Sequence, residues 1–291
     1  TAWSLGPVLF GPEFTFYNPG MPFVSDEYGG NGSDQVIIGR MLKHLVSDQP
    51  TGAKFQITDS NTFTSPNGWW VKVTTNPCVA EVTAIPGTVE YFRQYKDDIQ
   101  DGLFVSAANE GFYPALWLGG GHINIGMDAF RGNDLLLRNF VVDLLSHNEL
   151  FLGIFNCDSS NAISFSLLPD EPKLRVLHVI ERFDRGEFTG AIGQVHFLEA
   201  IQKILNASTD KFLGAWNLTG PRNKRHAVNF THVDMTPGSR IEIRAVRPQA
   251  NMNVWVNQID LFYHRLLYLE TINRPLPLLW KKVPDFFGSN G

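Results

Sequence analysis

The stretch Arg240-Ile-Glu-Ile-Arg-Ala-Val-Arg-Pro-Gln-Ala-Asn251 alternates charged and apolar residues until it reaches a proline. Successive side chains on a β-strand point to opposite faces, so residues two apart share a face. Arg240, Glu242 and Arg244 are therefore predicted on one face of a strand, with two isoleucines on the other. Apolar residues then recur at helical spacing over Val254 to Glu270. A strand with a charged face, followed by a helix, is the unit from which the fold prediction starts.

Three other stretches alternate in the same way, with polar residues on one face and apolar residues on the other. They are residues 10–16 with Glu13 and Thr15, residues 79–85 with Glu81 and Thr83, and residues 121–125 with His122 and Asn124. A single strand of this kind is usually an amphipathic edge with a wet face. Here four predicted strands carry Glu, His and Arg at their polar positions, where Ser, Thr and Lys are more usual. If these strands are neighbours in the sheet, their polar side chains form one shared surface.

Such a surface would have a particular chemistry. Carboxylates that lie close together raise one another's pKa, and a bound divalent cation removes the repulsion. Mg²⁺ prefers a few carboxylates together with waters and substrate phosphates. Arg244, beside Glu242, could bind a phosphate through two hydrogen bonds. The pattern therefore favours metal-assisted phosphoryl transfer.

The remaining periodicity predicts an α+β fold. Strand pairs joined by short turns indicate an antiparallel sheet of about six strands, and grouped helices indicate packing on one of its faces. No break in the sequence marks a boundary, so we expect a single domain over residues 1–291. Helices are predicted over residues 33–46, 87–105, 134–147, 175–182 and 195–205, and further strands over residues 69–74, 226–233 and 240–246.

Composition excludes several classes of function. The chain has 291 residues and a formal net charge of -5, which argues against a nucleic-acid binder with a basic face. No apolar run is long enough for a membrane span, and the two cysteines, without CxxC spacing, are expected in a reduced cytoplasmic protein. The glycines of Gly119-Gly-Gly121 lack the Lys-Ser/Thr of a P-loop, and there is no HExxH or GxSxG motif.

Five of these stretches resemble, in the same order, motifs of the glutamine-synthetase-like carboxylate–amine ligases, especially the amidoligases and glutamate–cysteine ligases. Residues 240–251 resemble the signature in which a metal-binding Glu and a phosphate-binding Arg precede a Pro-x-Ala-Asn turn and a helix. Residues 119–124 are similar to the Gly-rich strand that carries a His. Residues 11–16, 80–86 and 225–229 resemble the opening strand, the strand after it, and the strand before the Glu/Arg signature.

The resemblance implies a curved antiparallel sheet like the glutamine synthetase catalytic domain, and an enzyme that uses ATP and Mg²⁺. ATP would phosphorylate a carboxylate, and an amine would attack the resulting acyl phosphate. The substrates would be small-molecule or peptide carboxylates and amines, with no nucleic acid and no membrane. The implied site residues are Glu13, Glu81, His122 and Glu242 for the metal, Arg244 and Arg225 for catalysis at the phosphate or carboxylate, and Asn124, Arg244 and Asn251 for the nucleotide.

Two departures from the family pattern leave alternatives open. Thr15 stands where these ligases often have a second Glu, and Asn124 stands where glutamine synthetases have a second His. A site with fewer ligands would bind fewer metals or bind them more weakly. A non-catalytic binding module that keeps the fold, and a phosphotransferase on the same fold, are therefore the alternatives to a ligase.

Overall fold

The computed structural model describes residues 5–20, 56–59, 62–76, 79–116, 120–147, 164–215 and 226–279. The fold is α+β with an open antiparallel sheet. Contacts between residues divide the chain into two compact units, each built from separate segments. The first unit contains Val8–Asn124 and Val246–Tyr263, and the second contains Thr1–Pro7, Ile125–Ala245 and His264–Gly291. A single domain over the whole chain stays a prediction.

The sheet of the first unit lies where the alternating stretches predict strands. Its strands are β1 Phe10–Tyr17, β2 Gln56–Asp59, β3 Thr62–Thr64, β4 Trp70–Asn76, β5 Val79–Ala84, β6 Tyr113–Pro114 and β7 Ile123–Gly126, whose first two residues belong to this unit. Their order is β2-β3-β4-β5-β1-β7, with β6 paired to β1 as well. The described residues of this unit thus form seven strands, where the sequence predicts about six in all. β4 extends to Asn76, two residues beyond the strand predicted over residues 69–74.

The register of β1 and β5 places the predicted polar residues on one face. Glu13 lies opposite Thr83, and Thr15 lies opposite Glu81. Directly opposed residues of antiparallel strands share a face, as do residues two apart on one strand. All four side chains therefore lie on the same face of the sheet, which confirms the period-two prediction for these two strands.

The other face of β1 is the core of the first unit. Phe14 and Phe16 are buried there. Phe14 packs edge to face against Phe104 and Trp255, with ring centroids 5.1 and 5.6 Å apart, and Phe16 packs against Phe104 at 5.2 Å. Edge-to-face pairs of buried aromatic rings add to the stability that burial provides. Helical segments thus cover the apolar face of β1.

The helical segments after β5 are partly α-helical and partly π-helical. α1, Val89–Ile99, begins after Thr88, whose hydroxyl accepts the Tyr91 N–H at 3.1 Å. The chain continues as a π-helical segment, Gln100–Val105, and then as the short helix α2, Ser106–Asn109. Helical spacing predicts one helix over residues 87–105, and the chain is helical over most of this range. The change to π-helical hydrogen bonding is not visible in the sequence.

The second unit contains a short hairpin and most of the helices. Its elements are 3-10 turns at Met127–Phe130 and Phe165–Leu167, helices α3 Asp134–Ser146, α4 Asp170–Asp184 and α5 Gly190–Ala215, strands β8 Val228–Asn229 and β9 Arg240–Ile243, and the last part of helix α6 Met252–Glu270. The strands predicted over residues 226–233 and 240–246 are too long. β8 ends at Asn229 because the Asn229 side-chain oxygen accepts the Thr231 N–H at 3.1 Å and turns the chain.

Helix α3 carries a row of buried polar residues inside an apolar sequence. Arg138 is 4% exposed and binds both carboxylate oxygens of Asp184, at 2.9 and 2.8 Å. Asn139 donates to the Arg274 carbonyl and accepts the Leu276 N–H, each at 3.0 Å. Each buried polar group is thus paired, and the segment after α6 is fixed along α3.

Two predictions fall outside the described residues: the helix over residues 33–46 and Arg225. Among the helices that the structure does describe, none combines the length and apolar character needed to cross a membrane.

Candidate functional site

The first polar cluster, here called the Glu13 cluster, consists of Glu13, His122 and Asn124 in the first unit. The His122 Nδ1 lies 2.8 Å from the Glu13 Oε2, and the Asn124 side-chain amide donates to the Glu13 Oε1 at 2.7 Å. Only 13% of the Glu13 side chain and 12% of the His122 side chain are exposed. Both oxygens of this largely buried carboxylate have polar neighbours, which offsets the cost of burying its charge.

Backbone contacts explain why these side chains meet. The Glu13 N–H donates to the His122 carbonyl at 3.2 Å, which sets β1 beside the start of β7. The Asn124 amide also donates to the Gly11 carbonyl, at 3.3 Å. A Cβ placed on Gly120 would lie 2.4 Å from the His122 Nε2, closer than real contacts allow. Glycine at position 120 therefore leaves the space beside the Nε2 edge of the imidazole clear.

Gly121 is required for a different close approach. A Cβ there would lie 2.5 Å from the Arg247 carbonyl. The Gly121 N–H donates to the Val246 carbonyl at 2.9 Å, and the Gln249 amide donates to the Gly121 carbonyl at 3.0 Å. Gly121 thus permits close packing of the backbone just before β7.

Thr15 occupies the position where the ligases often have a second Glu. Its side chain is buried, and its hydroxyl lies 3.5 Å from the Gly120 carbonyl, at the limit of hydrogen bonding. Glu81 lies directly opposite Thr15 and is therefore a diagonal neighbour of Glu13, a relationship that separates residues by about 7–8 Å. Glu81 shares the polar face with the Glu13 cluster, as predicted.

The second polar cluster, here called the Glu242 cluster, lies in the second unit at the β8–β9 hairpin. Asn229 and Glu242 are directly opposed in the register, and the Asn229 amide donates to the Glu242 Oε2 at 2.8 Å. The Arg244 Nη1 donates to the Glu242 Oε1 at 2.7 Å. The His232 Nε2 lies 3.5 Å from the Glu242 Oε2. Asn229 and Arg244 thus donate hydrogen bonds to the Glu242 carboxylate, and the His232 imidazole lies close to it.

The carboxylate of the Glu242 cluster is buried, so its negative charge must be balanced by neighbouring groups. The side chain of Glu242 is 3% exposed and that of Arg244 is 17% exposed. A buried carboxylate is stable only when it is paired and hydrogen-bonded, and Arg244 and Asn229 meet that need. Glu242 thus has a neutralising partner within the protein, so the repulsion argument for a bound cation does not apply to Glu242 by itself.

Arg244 nevertheless keeps one donor for a ligand. Its Nε is buried and has no hydrogen-bond partner in the parts of the chain that the structure describes. Buried donors without partners are uncommon in folded proteins. An anionic oxygen atom is the kind of partner that this guanidinium lacks.

The sequence did not predict His232 as part of a site. Period-two alternation applies only within a strand, and His232 follows the turn at Thr231, beyond the end of β8. His226 has a structural role instead: it is 2% exposed, and its Nε2 lies 2.8 Å from the Leu205 carbonyl. Burial lowers the pKa of His226 to about 4, so the imidazole is neutral at neutral pH.

The other predicted nucleotide ligand, Asn251, caps a helix. Its side-chain oxygen accepts the Val254 N–H at 3.1 Å at the start of α6. Asn at a helix N-cap is common because it satisfies a backbone donor that has no partner inside the helix. The capping role accounts for the Asn of the Pro-x-Ala-Asn turn, and contact with a nucleotide stays a prediction.

The donor atoms of the two clusters suit a metal and a phosphate. Carboxylate oxygens are the ligands that Mg²⁺ prefers, and imidazole binds several divalent transition metals. Gly120 leaves the Nε2 edge of His122 clear of a side chain, and the Arg244 Nε offers a donor to an anion. The residues therefore fit a divalent cation and a phosphate group.

No protein-family model matches the chain, and the curated proteins searched gave no match.

Proposed function

We propose that the protein is an ATP- and Mg²⁺-dependent carboxylate–amine ligase of the amidoligase type, which forms an amide through an acyl phosphate. We further propose that its antiparallel sheet corresponds to that of the glutamine synthetase catalytic domain. The reaction would phosphorylate a carboxylate with ATP, after which an amine displaces the phosphate. The substrates are small-molecule or peptide acids and amines.

One observation carries most of this proposal: the contact of Glu13 with His122 and Asn124. Three polar residues from two stretches, selected in the sequence for their alternation, form a single hydrogen-bonded group. A wet edge strand would leave its polar side chains in solvent, whereas these are largely buried. Burying a carboxylate and an imidazole together costs free energy. Buried ionisable side chains that lie close together are frequent at functional sites.

In the proposal, Glu13, Glu81, His122 and Glu242 bind the metal. A bound Mg²⁺ would supply positive charge to the phosphates of ATP. Arg244, through its Nη and Nε groups, would bind the phosphoryl group being transferred, which stabilises charge in the transition state. Arg225 would bind phosphate or the substrate carboxylate, and Asn124 and Asn251 would contact the nucleotide.

Thermal unfolding with and without Mg²⁺ and ATP, followed by measurement of ADP release, tests this function. We expect Mg²⁺ with ATP to raise the melting temperature, and a panel of acid–amine pairs to include one that releases ADP and forms an amide. Glu13→Gln should abolish both effects, whereas the exposed Glu90→Gln on α1 should change neither. Absence of a thermal shift and of ADP release from every pair in the wild type would refute the ligase.

A non-catalytic binding module is the second candidate, and one observation favours it. Both oxygens of Glu13 and both oxygens of Glu242 already have polar neighbours within the protein. A carboxylate that is satisfied in this way can be purely structural. Nucleotide binding that is unchanged in Glu242→Gln would support this candidate. A phosphorylated acid without amide product would instead identify a phosphotransferase.

A further inference from the structure

Glu242 lies in β9, Arg244 is the first residue after this strand, and the two side chains bind each other directly. The distance from the Arg244 Nη1 to the Glu242 Oε1 is 2.7 Å. Asn229 holds the second carboxylate oxygen of Glu242 at 2.8 Å. The pair is largely buried, with side-chain exposures of 3% for Glu242 and 17% for Arg244. The two groups assigned to the metal and to the phosphate are therefore each other's partner in the ligand-free protein.

This pairing has an energetic consequence for binding. Separating a buried ion pair is unfavourable because each charge loses the opposite charge that neutralises it. A cation that binds Glu242 alone would compete with the Arg244 guanidinium and would be repelled by it. A phosphate that binds Arg244 alone would compete with Glu242 in the same way. When both ligands arrive, each of the separated charges receives a new partner.

We infer that the Glu242–Arg244 ion pair couples the two ligands of the site, because each residue opposes the binding of the other residue's ligand. A metal ion and the phosphates of a nucleotide then bind cooperatively, and neither binds strongly alone. The inference rests on the proposed function, since it takes Glu242 as a metal ligand and Arg244 as a phosphate ligand. It adds a regulatory property that the ligase reaction itself does not require.

The inference has a signature that distinguishes it from a structural salt bridge. Removing the charge of one residue should strengthen binding of the ligand of the other. A metal chelated by ATP in solution also produces cooperativity, but chelation alone does not make a metal bind more tightly when Arg244 is neutralised. Affinity for one ligand, measured without the other, is therefore the informative quantity.

The first experiment measures Mn²⁺ binding without nucleotide, using the EPR signal that the free ion gives and the bound ion loses. We expect Arg244→Gln to bind Mn²⁺ more tightly than the wild type by about tenfold, within the usual range of coupling between two ligands. Arg240→Gln is the matched control, because it removes the same charge at the same sequence distance from Glu242, on its N-terminal side. It should leave the Mn²⁺ affinity unchanged. Equal or weaker binding by Arg244→Gln overturns the inference.

The second experiment measures ATP binding in the presence of EDTA. Glu242→Gln should bind metal-free ATP about tenfold more tightly than the wild type, by the same reasoning. Circular dichroism establishes that each variant is folded, and the two experiments are independent, so one unfolded variant leaves the other result decisive. Weaker or unchanged ATP binding by a folded Glu242→Gln also overturns the inference.

The outcomes separate this inference from the proposed function. Tighter binding in both variants with no amide product from any acid–amine pair supports the coupling and refutes the ligase. Amide formation by the wild type without tighter binding in either variant supports the ligase and overturns the coupling. If neither the wild type nor the variants bind Mn²⁺ or ATP, both are overturned.

Discussion

The His122 Nδ1 lies 2.8 Å from the Glu13 Oε2, although the two residues are 109 positions apart in the chain. The contact depends on Gly120, whose missing side chain leaves space beside the His122 Nε2. A carboxylate that contacts one ring nitrogen of a histidine commonly fixes the orientation of the imidazole for metal binding through the other nitrogen. The first prediction tests whether this arrangement is required.

Gly120→Ala should displace the His122 imidazole, because the new Cβ would lie 2.4 Å from the Nε2. Overpacking of this kind costs about 1–3 kcal/mol of stability. We expect a lower melting temperature and weaker Mn²⁺ binding, measured by thermal unfolding and EPR. Gly238→Ala is the control, since a Cβ there has no neighbour within 4 Å. Unchanged stability and metal affinity in Gly120→Ala would contradict this prediction, because the imidazole would then have a second favourable orientation.

A second prediction concerns His226 and acid stability. Burial lowers the pKa of His226 from 6.5 to about 4, so between these values the unfolded chain binds a proton that the folded protein excludes. The free energy of unfolding therefore decreases as pH falls from about 6.5 to about 4, by up to about 3 kcal/mol. Chemical unfolding at a series of pH values measures the loss.

Its test compares two variants. His226→Gln keeps a donor for the Leu205 carbonyl but does not titrate, so its stability should depend less on pH in this window than that of the wild type. His178→Gln, at an exposed position, should keep the wild-type dependence. The same pH dependence in His226→Gln as in the wild type would assign the acid sensitivity to other groups.

A third prediction concerns the buried Arg138 side chain of the second unit. Arg138→Met leaves Asp184 and the Leu276 carbonyl without their partner. Asp184 keeps 32% of its side chain exposed and can be solvated again, so the cost comes mainly from the hydrogen bonds that Arg138 makes. We expect denaturant unfolding to show a loss of about 1–3 kcal/mol. Arg131→Gln removes an exposed pair with Asp128 and should cost under about 1 kcal/mol. Similar effects in the two variants would mean that the Arg138 network contributes little.

A fourth prediction separates the two roles of Asn251. Asn251→Asp keeps the oxygen that caps α6 and removes the amide donor, whereas Asn251→Ala removes both. Loss of an N-cap costs about 1 kcal/mol, so the Ala variant should be destabilised and the Asp variant should not. If Asn251 contacts the nucleotide, both the Ala variant and the Asp variant should bind ATP more weakly than the wild type. Wild-type ATP affinity in Asn251→Asp would leave capping as its only role.

The sequence locates the strands that carry the predicted site residues, although not all of their ends, because period-two alternation is a local property. Glu13, Glu81, His122 and Glu242 lie on strands or at their ends, and the face shared by Glu13 and Glu81 follows from the register of β1 and β5. Helical spacing is local too: the helix predicted over residues 134–147 ends one residue beyond α3, and those over 175–182 and 195–205 lie within α4 and α5.

Contacts that depend on turns and on distant segments could not be predicted. His232 approaches Glu242 from beyond the end of β8, where alternation no longer applies. The buried polar residues of α3 bind Asp184 and the segment after α6, and no local pattern indicates those partners. Pairing of Arg244 with Glu242 was also missed, because spacing shows that two residues share a face but not that they neutralise each other.

The most direct test of the central claim is the amount of ADP and amide formed when the protein is incubated with ATP, Mg²⁺ and a panel of carboxylate and amine pairs. A ligase predicts equal amounts of ADP and amide for at least one pair, both dependent on Mg²⁺ and both lost in Glu13→Gln. ADP release that no pair increases above the background without protein, together with no amide in any reaction, would contradict it.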